Sequence, residues 1–511
     1  MSQQLATGDV QVAYLYWKLA NGIWAERRSK SKEDFLLGGR TLGPWLAGLS
    51  YAASTSSAWV MLGFTGFVFT AGLHALWMIP GILMGYCLAW LWAGPRLQAE
   101  SRTEGHLTLI DFLTARATGP ARRAIAMLAA ALVCVSFAFF IAAQMKGAGQ
   151  SFDSAFDIGM VWGVLLGAAV VLFYMFFGGF WAASVTDSVQ GAIMAAVAVI
   201  LPVAAVIAAG GPGAIAATLA ADAPEGFFDP TGGKAAMVFF GTVVGLMSAG
   251  LGTLGQPHLL NWLMAVKDEP SRRRAFAIVM VWGIIIYAGM ATLALAARAL
   301  AIDAPPEGIL FELAGELLHP LLAGLVVAAV LSAIMSTVDS QLLVASAAVS
   351  HDMGLAERLK AKEVLVTRLV MVAICAVAVL LTFFLPESIF ARALFAWAAL
   401  GAAFGPIVTV RLFGIEPHPW AIFAAMAVGF STCVLFYLLP DTPGDIAERL
   451  LPWAPALAIL LARNGAQVSL NNEAFARGRG AALEDLRPPA DAAEKLDALV
   501  ARRVADLTAY Q

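Results

Sequence analysis

A cluster of polar residues interrupts an otherwise apolar helical pattern between residues 331 and 343. The segment reads LSAIMSTVDSQLL, with LLAGLVVAAV upstream and VASAAV downstream. Its polar members recur at spacings of three and four residues, which places them on one face of a helix: Ser336, Thr337, Asp339 and Ser340. A carboxylate among hydroxyls is costly in lipid, so it indicates a functional site. Oxygen ligands of this kind suit a hard cation.

The composition is that of a polytopic membrane protein. Of the 511 residues, 60% are hydrophobic and 13% are charged, whereas soluble proteins carry about 25% charged residues. A net charge of −3 gives no indication of nucleic-acid binding. The six histidines are scattered without metal spacing or a nucleophile constellation, so an enzyme is not expected.

The hydrophobic pattern predicts about thirteen transmembrane helices. A span needs about 20 mostly apolar residues, and candidate spans start near residues 10, 44, 74, 122, 157, 181, 234, 274, 319, 363, 389, 418 and 446. The first candidate is weak because it contains Lys18, and the last is short and holds two prolines. Eleven or twelve spans are therefore also compatible with the pattern.

Charge in the loops predicts the orientation of the chain. Lysine and arginine gather in alternate loops, and the intervening loops are poor in both. Basic loops face the cytoplasm, so we expect a protein of the bacterial-type cytoplasmic (inner) membrane with a cytoplasmic C-terminus. The tail 465–511 is expected to be a cytoplasmic appendage.

Two of the apolar segments contain features that break helices. The first, LAGLSYAASTSSAWVMLGFTGF, is small and polar between Ser50 and Ser57. The second, VVGLMSAGLGTLGQPHLLNWL, carries Gly250, Gly252 and Gly255 in quick succession before Pro257. Freed backbone groups at membrane depth are tolerated where a cavity or an ion satisfies them. A pair of broken helices in corresponding halves points to a midplane binding site. Ordinary packing of small residues between helices is the alternative.

These segments carry a resemblance to a known family. The chain resembles the sodium:solute symporter family, nearest to its sodium/proline symporter branch, through five ordered motifs: EDFLLGGRTLGPWLAGLSYAAS at 33–54, GGFWAASVTDSVQ at 178–190, LGQPHLL at 254–260, LSAIMSTVDSQLL at 331–343 and GAAFGPIV at 401–408. The resemblance implies an all-α, LeuT-type five-plus-five inverted-repeat fold with one extra N-terminal helix.

The resemblance also implies a domain organisation. An extra helix and cytoplasmic loop would occupy residues 1–42, and the transporter core residues 43–414. Within the core, repeat one would span about 43–211 and repeat two about 233–414. C-terminal transmembrane helices would follow at 415–464.

Two cation sites follow from the resemblance. The family's main sodium site corresponds to Ala53, Ser56, Ala333, Ser336 and Thr337. A second site found in some members corresponds to Asp187, Ser336, Asp339 and Ser340. Asp339 departs from the small polar residue that is usual at its position. Two close carboxylates rarely both ionise without a cation, so we expect a second cation site here, with proton binding as a rival use.

The solute pocket is expected between the broken helices and their neighbours. The candidate lining residues are Thr55, Ser57, Trp59, Phe140, Gln144, Ala249, Thr253, Gln256 and Trp397. The proline branch has an aspartate where this chain has Thr55, and aromatic residues where it has Ala249 and Thr253. These departures make proline a doubtful solute and favour a larger or more polar one.

The leading functional expectation is a sodium-coupled symporter that imports a small organic solute, amino-acid or carboxylate-like, by alternating access. A proton-coupled carrier and a transporter-fold sensor are the alternatives. The expected cofactor is the sodium ion. The expected partners are the solute and the lipid bilayer, with no obligatory protein partner.

Overall fold

The computed structural model describes residues 2–28, 31–384 and 389–462, without the side chains of residues 2–11, 14, 15 and 392. The described chain is helical, apart from loops and an isolated β-bridge between Leu42 and Val266. The helices described in its first half are α1 Ser2–Glu26, α2 Lys32–Leu37, α3 Pro44–Thr55, α4 Thr65–Ala71, α5 Met78–Cys87, α6 Gly94–Thr103, α7 Leu109–Thr114, α8 Gly119–Phe156, α9 Met160–Ala208 and α10 Pro212–Asp222.

The second half is built in the same manner. Its described helices are α11 Ala236–Ser248, α12 Pro257–Ala265, α13 Glu269–Ala299, α14 Ile309–Leu317, α15 Pro320–Ala347, α16 Leu355–Arg358, α17 Glu363–Phe384, α18 Ile389–Leu412, α19 Pro419–Tyr437 and α20 Ile446–Arg449. A further helical segment covers residues 453–462. Residues 1–460 form one compact unit, and the predicted tail 465–511 lies outside the described residues.

Local sequence explains where several of these helices begin. Proline lies at the first helical positions of α3, α12 and α15, where its missing N–H costs nothing. Asp268 caps α13 by accepting a hydrogen bond from the backbone N–H of Ser271 at 2.8 Å. Ser31 and Asp34 form a reciprocal capping box at the start of α2.

The first predicted break is confirmed. Helix α3 ends at Thr55, and Ser56 leaves the helical region with φ −115° and ψ 68°. A π-helical turn at Trp59–Phe64 then leads into α4. The side-chain oxygen of Gln144 on α8 accepts a hydrogen bond from the backbone N–H of Ala58 at 2.9 Å. One donor freed by the break is therefore satisfied by a neighbouring helix.

The second predicted break is confirmed as well. After α11, a short 3-10 helix at Leu251–Gly255 ends at Gln256, whose backbone is extended with φ −92° and ψ 104°. Pro257 then starts α12. The amide of Gln256 donates hydrogen bonds to the backbone oxygens of Trp397 at 2.9 Å and of Gly252 at 3.2 Å. Side chains again replace the hydrogen bonds that the helix has lost.

A sharp kink at Gly179 divides α9 into two parts. Gly179 has φ 52° and ψ −140°, a conformation that is essentially restricted to glycine. A Cβ atom there would also lie 2.6 Å from Cδ2 of Phe35. The two spans predicted from residues 157 and 181 are therefore the two parts of α9, and the kink places Tyr174 and Asp187 on opposite sides of it.

Helix α15 lies at the centre of the molecule. Every residue from Val326 to Ala348 is buried, and the helix packs against α1, α3, α8, α9 and α17. The polar cluster between residues 331 and 343 is thus enclosed by protein on all sides. This placement removes its polar groups from lipid, as an intramembrane carboxylate requires.

The described helices agree with a membrane-spanning protein. Nine helical stretches, some of which join several of these helices end to end, are long and apolar enough to cross a bilayer. Helices also begin close to each of the thirteen predicted starts, but α1 and residues 453–462 are not among those nine. The exact number of spans stays a prediction.

Candidate functional site

The break in α3 contacts the polar face of α15 through a set of oxygen atoms. The Ser336 hydroxyl donates a hydrogen bond to the backbone oxygen of Ala53 at 3.1 Å. The Thr337 hydroxyl lies 3.1 Å from the backbone oxygen of Ser54. Both hydroxyls also lie within 3.2 Å of the backbone oxygen of Ala333. Residues separated by about 280 positions in sequence therefore form one compact cluster.

All the predicted main-site residues are buried at this contact. Ala53, Ser56, Ala333, Ser336 and Thr337 each expose no more than 1% of their surface. Ser56 is the residue at which α3 unwinds, and its N–H donates to the backbone oxygen of Ala53 at 3.1 Å. The backbone oxygen of Ser54 is an additional member that the sequence did not predict.

The electrostatics of this cluster suit a cation. The carbonyl oxygens at the C-terminal end of α3 point out of the helix and carry the negative end of its dipole. Hydroxyl oxygens can turn their lone pairs toward an ion, so the hydrogen bonds of Ser336 and Thr337 can be exchanged for ion contacts. Unwound carbonyls and half-helix C-termini are the groups that coordinate sodium in membrane transporters with broken helices.

The two predicted carboxylates lie next to each other beside this cluster. Asp187 on α9 and Asp339 on α15 are fully buried, and their carboxyl groups interact directly. The Tyr174 hydroxyl donates a hydrogen bond to Asp339 Oδ2 at 3.0 Å. The Ser54 hydroxyl lies 3.4 Å from Asp187 Oδ2 and 3.0 Å from the backbone oxygen of Ser336. Ser54 therefore connects the carboxylate pair with the main cluster.

The other two members of the predicted second site take different partners. The Ser336 hydroxyl is directed to the main cluster. The Ser340 hydroxyl donates to backbone oxygens of its own helix, at Ser336 and Thr337. Tyr174 and Ser54 are the hydroxyls that hydrogen-bond the pair, and neither was among the predicted site residues. For Tyr174, the sequence offers one signal: a tyrosine hydroxyl at the end of the apolar run VVLFY.

A small cavity lies between the two broken helices. Seven of the nine predicted pocket residues line it: Thr55, Ser57, Trp59, Phe140, Ala249, Thr253 and Trp397. Five further lining residues were not predicted: Ile82, Tyr86, Tyr287, Ala393 and Leu394. The cavity has a volume of about 30 Å³, room for a few water molecules. Its side chains must move apart to admit a solute.

Gln144 and Gln256 are not among the residues that line this cavity, and their part in solute binding stays a prediction. Gln144 accepts a hydrogen bond from the backbone N–H of Ala58 at the first break. Gln256, at the second break, donates to the backbone oxygens of Gly252 and of Trp397 on α18. The physical reason is that unwound helix segments leave donors and acceptors that buried amides satisfy. Among the unpredicted lining residues, Tyr86 lies with its hydroxyl 3.0 Å from Oγ1 of Thr55.

Fold and site together define a class of protein. Two broken helices meet beside a buried oxygen cluster and a cavity, inside an all-helical chain with membrane-spanning helices. This is the arrangement of a secondary transporter with an ion site.

The comparisons with known proteins identify the family within that class. The family model described as "Sodium:solute symporter family" matches residues 35–417. The high-affinity proline transporter PutP of Bacillus subtilis is 32% identical over 84% of this chain and 93% of its own length. The sodium/proline symporter of Escherichia coli is 31% identical over 83% and 86%. The chain belongs to the sodium:solute symporter family.

Solved structures share the fold. A Na⁺-coupled sialic acid symporter in a substrate-bound outward-open state gives a TM-score of 0.73 at 18% identity, over 89% of this chain and 98% of the other. MHP1, a nucleobase-cation-symport-1 family transporter in a closed conformation, gives a TM-score of 0.54 at 14% identity over 84% and 95%. These likenesses confirm the predicted LeuT-type fold.

Family membership establishes the general activity. The chain is a sodium-coupled solute importer and an integral membrane protein of the inner membrane, and it is a transporter rather than an enzyme. The relatives named above transport proline, a small solute.

Proposed function

We propose that this chain imports a small amino-acid-like solute, with one sodium ion bound where the break in α3 meets α15. The observation that carries the proposal is the pair of contacts from Ser336 to Ala53 and from Thr337 to Ser54, each 3.1 Å long. In this proposal the sodium ligands are the predicted main-site residues, together with the backbone oxygen of Ser54.

The sodium position explains coupling. Helix α3 belongs to the first half of the core and α15 to the second, so an ion held by both stabilises the conformation in which they touch. Release of the ion removes this bridge and lets the two halves move apart. A ligand shifts such an equilibrium only through its different affinity for the two states, and a site divided between two moving parts has that property.

The cavity lining favours a neutral or zwitterionic solute. Hydroxyls of Thr55, Ser57, Tyr86, Thr253 and Tyr287 lie beside aromatic and aliphatic side chains. None of the residues that line the cavity in the described part of the chain is charged. A net charge on the solute would be left without a protein counter-ion in this buried site. An amino acid, whose two charges cancel, fits this environment, and the relatives named as proline transporters point the same way.

Aromatic rings separate this cavity from a larger one. Trp59 lines the solute cavity, and its ring stacks on Phe390 with a centroid distance of 5.9 Å. Phe390 lines a second cavity of about 540 Å³ and stacks on Phe67 at 4.9 Å. We infer that rotation of the Trp59 and Phe390 rings opens the solute site to this larger cavity.

The carboxylate pair Asp187 and Asp339 is a second cation site, with Ser336 and Ser340 on the same face of α15.

The basic loops face the cytoplasm, as does the C-terminus.

Uptake into proteoliposomes tests the function. Purified chain is reconstituted, and uptake of a panel of radiolabelled amino acids, monocarboxylates and sugars is measured under an imposed sodium gradient, a proton gradient or neither. We expect uptake of an amino acid that depends on the sodium gradient. Uptake that follows a proton gradient and ignores sodium would contradict the proposed ion site, and uptake of an anionic or cationic solute would contradict the solute class.

A further inference from the structure

A buried lysine on α1 faces the carboxylate pair. Lys18 exposes 0% of its surface, and its ammonium lies 4.1 Å from the centroid of the Tyr174 ring. The hydroxyl of the same tyrosine hydrogen-bonds to Asp339. Lys18 lies close enough to Asp339 and Asp187 for electrostatic attraction, without a direct ion pair to either among the described residues. The lysine that weakened the first predicted span thus points into the protein rather than toward the membrane surface.

Close packing holds Lys18 in this position. Gly22 lies one helical turn further along the same face of α1. A Cβ atom at Gly22 would lie 2.7 Å from Cα of Tyr174, so the backbones of α1 and α9 are in direct contact there. Glycine permits this approach, as small residues do between membrane helices. The lysine is consequently positioned beside Tyr174 and the pair.

The energetics require a reason for this burial. Lys18 Nζ has no hydrogen-bond partner among the described residues, although an isolated charge inside a membrane protein is expensive. The carboxylate pair carries the opposite charge, since two adjacent carboxylates retain about one negative charge between them unless a cation is present. One ammonium offsets that charge. The cation–π contact with Tyr174 adds a favourable interaction.

We propose that the ammonium of Lys18 is the cation of the second site, so that this chain carries covalently the positive charge that a second sodium ion would otherwise supply. The inference rests on the proposed function, because it presupposes that sodium binds at the main site. Its consequence is a stoichiometry of one sodium ion per chain. Helix α1, which lies outside the inverted repeats implied by the family fold, then takes part directly in ion binding.

Ser54 transmits the state of the second site to the first. Its hydroxyl lies within hydrogen-bonding distance of Asp187 and of the backbone oxygen of Ser336, and its own backbone oxygen contacts Thr337. A change of charge at the pair therefore acts on the ligands of the main site through one residue.

Direct counting of bound sodium tests this inference. Binding of ²²Na⁺ to the purified full chain is measured at saturation, in choline chloride of constant ionic strength. We expect one ion per chain for the wild type and for Lys18→Arg, which keeps the charge. We expect two ions for Lys18→Met, because the unpaired carboxylates then recruit sodium. Two ions bound to the wild type, or one ion bound to a folded Lys18→Met variant, would overturn the inference.

The outcomes separate this inference from the proposed function. Thr337→Ala should weaken the binding of the single wild-type ion about tenfold, so that saturation is reached at about ten times the sodium concentration. If the wild type binds no sodium at all, the main-site proposal fails and this inference fails with it. A wild-type count of two, with the binding of one ion weakened about tenfold in Thr337→Ala, leaves the main site intact and removes only the role of Lys18.

A double-mutant cycle covers the case in which Lys18→Met is too unstable for binding studies. Melting temperatures are measured without sodium for the wild type, Lys18→Met, Asp339→Asn and the double variant. Each single change should lower the melting temperature. The double variant should lose less than the sum of the two single losses, because removing both partners leaves no unpaired charge. Additive losses would show that Lys18 and Asp339 do not interact, and would overturn the inference.

Discussion

At the scale of single residues, two hydroxyls of α15 are expected to set sodium affinity. Thr337→Ala removes an oxygen beside Ser54 and leaves the backbone ligands in place. Loss of one ligand to a charged ion should raise the sodium concentration for half-maximal uptake about tenfold, a change of about 1.4 kcal/mol in binding free energy. Sodium titration of uptake in proteoliposomes measures this value.

A matched control lies on the same helix. The hydroxyl of Ser346 donates to the backbone oxygen of Leu343 within α15 and has no contact with α3. Ser346→Ala should leave the sodium requirement unchanged. If Thr337→Ala behaves like this control, the main site is wrongly assigned.

The solute pocket allows a second prediction at this scale. The Tyr86 hydroxyl lies 3.0 Å from Thr55 Oγ1 and borders the cavity. Tyr86→Phe keeps the ring and removes a polar group, so the KM for the solute should rise several-fold, whereas the sodium requirement should stay the same. Solute titration at saturating sodium gives the first value. A change in the sodium requirement alone would exclude Tyr86 from the solute site.

At the scale of elements, the kink in α9 determines which side chains meet. Gly179 combines a glycine-only backbone conformation with close contact to Phe35. Gly179→Ala should therefore destabilise the protein by roughly 1–3 kcal/mol, measured as a lower melting temperature. Because the kink orients Asp187 toward α3 and α15, sodium affinity should fall as well.

The control for this element is a glycine with room for a side chain. No heavy atom lies within 4 Å of the Cβ that alanine would add at Gly213 in α10. Gly213→Ala should change stability by no more than about 0.5 kcal/mol. Equal melting temperatures for the two variants would contradict the role of the kink.

At the scale of the whole molecule, sodium should stabilise the fold. The proposed ligands come from helices in both halves, so the ion binds the assembled core and not the unfolded chain. At a sodium concentration about 100 times the dissociation constant, the free energy of unfolding should rise by about 2.7 kcal/mol. Thermal unfolding in NaCl and in KCl at equal ionic strength measures this difference. Thr337→Ala, which should bind sodium about tenfold more weakly, should lose about half of the sodium-specific shift. An equal shift in both salts would indicate a general salt effect.

Much of this architecture could be predicted from sequence because it depends on local patterns. Apolar runs define membrane helices, and glycine, serine and proline weaken a helix wherever they cluster, so both breaks were predictable. The polar face of α15 followed from helical spacing. The motifs predicted the family, which the comparisons confirm, and with it an assignment of the main site that stays a prediction.

Tertiary structure decided which of these groups touch. The contacts of Ser54 with Thr337, of Tyr174 with Asp339 and of Lys18 with Tyr174 join residues more than 150 positions apart. Unwound segments have no periodicity from which the direction of a side chain can be read, so Gln144 and Gln256 were placed in the cavity although they hydrogen-bond to the breaks. Sequence alone made Lys18 an argument against a membrane span. Its burial beside two carboxylates depends on how closely α1 packs on α9, which only the folded chain determines.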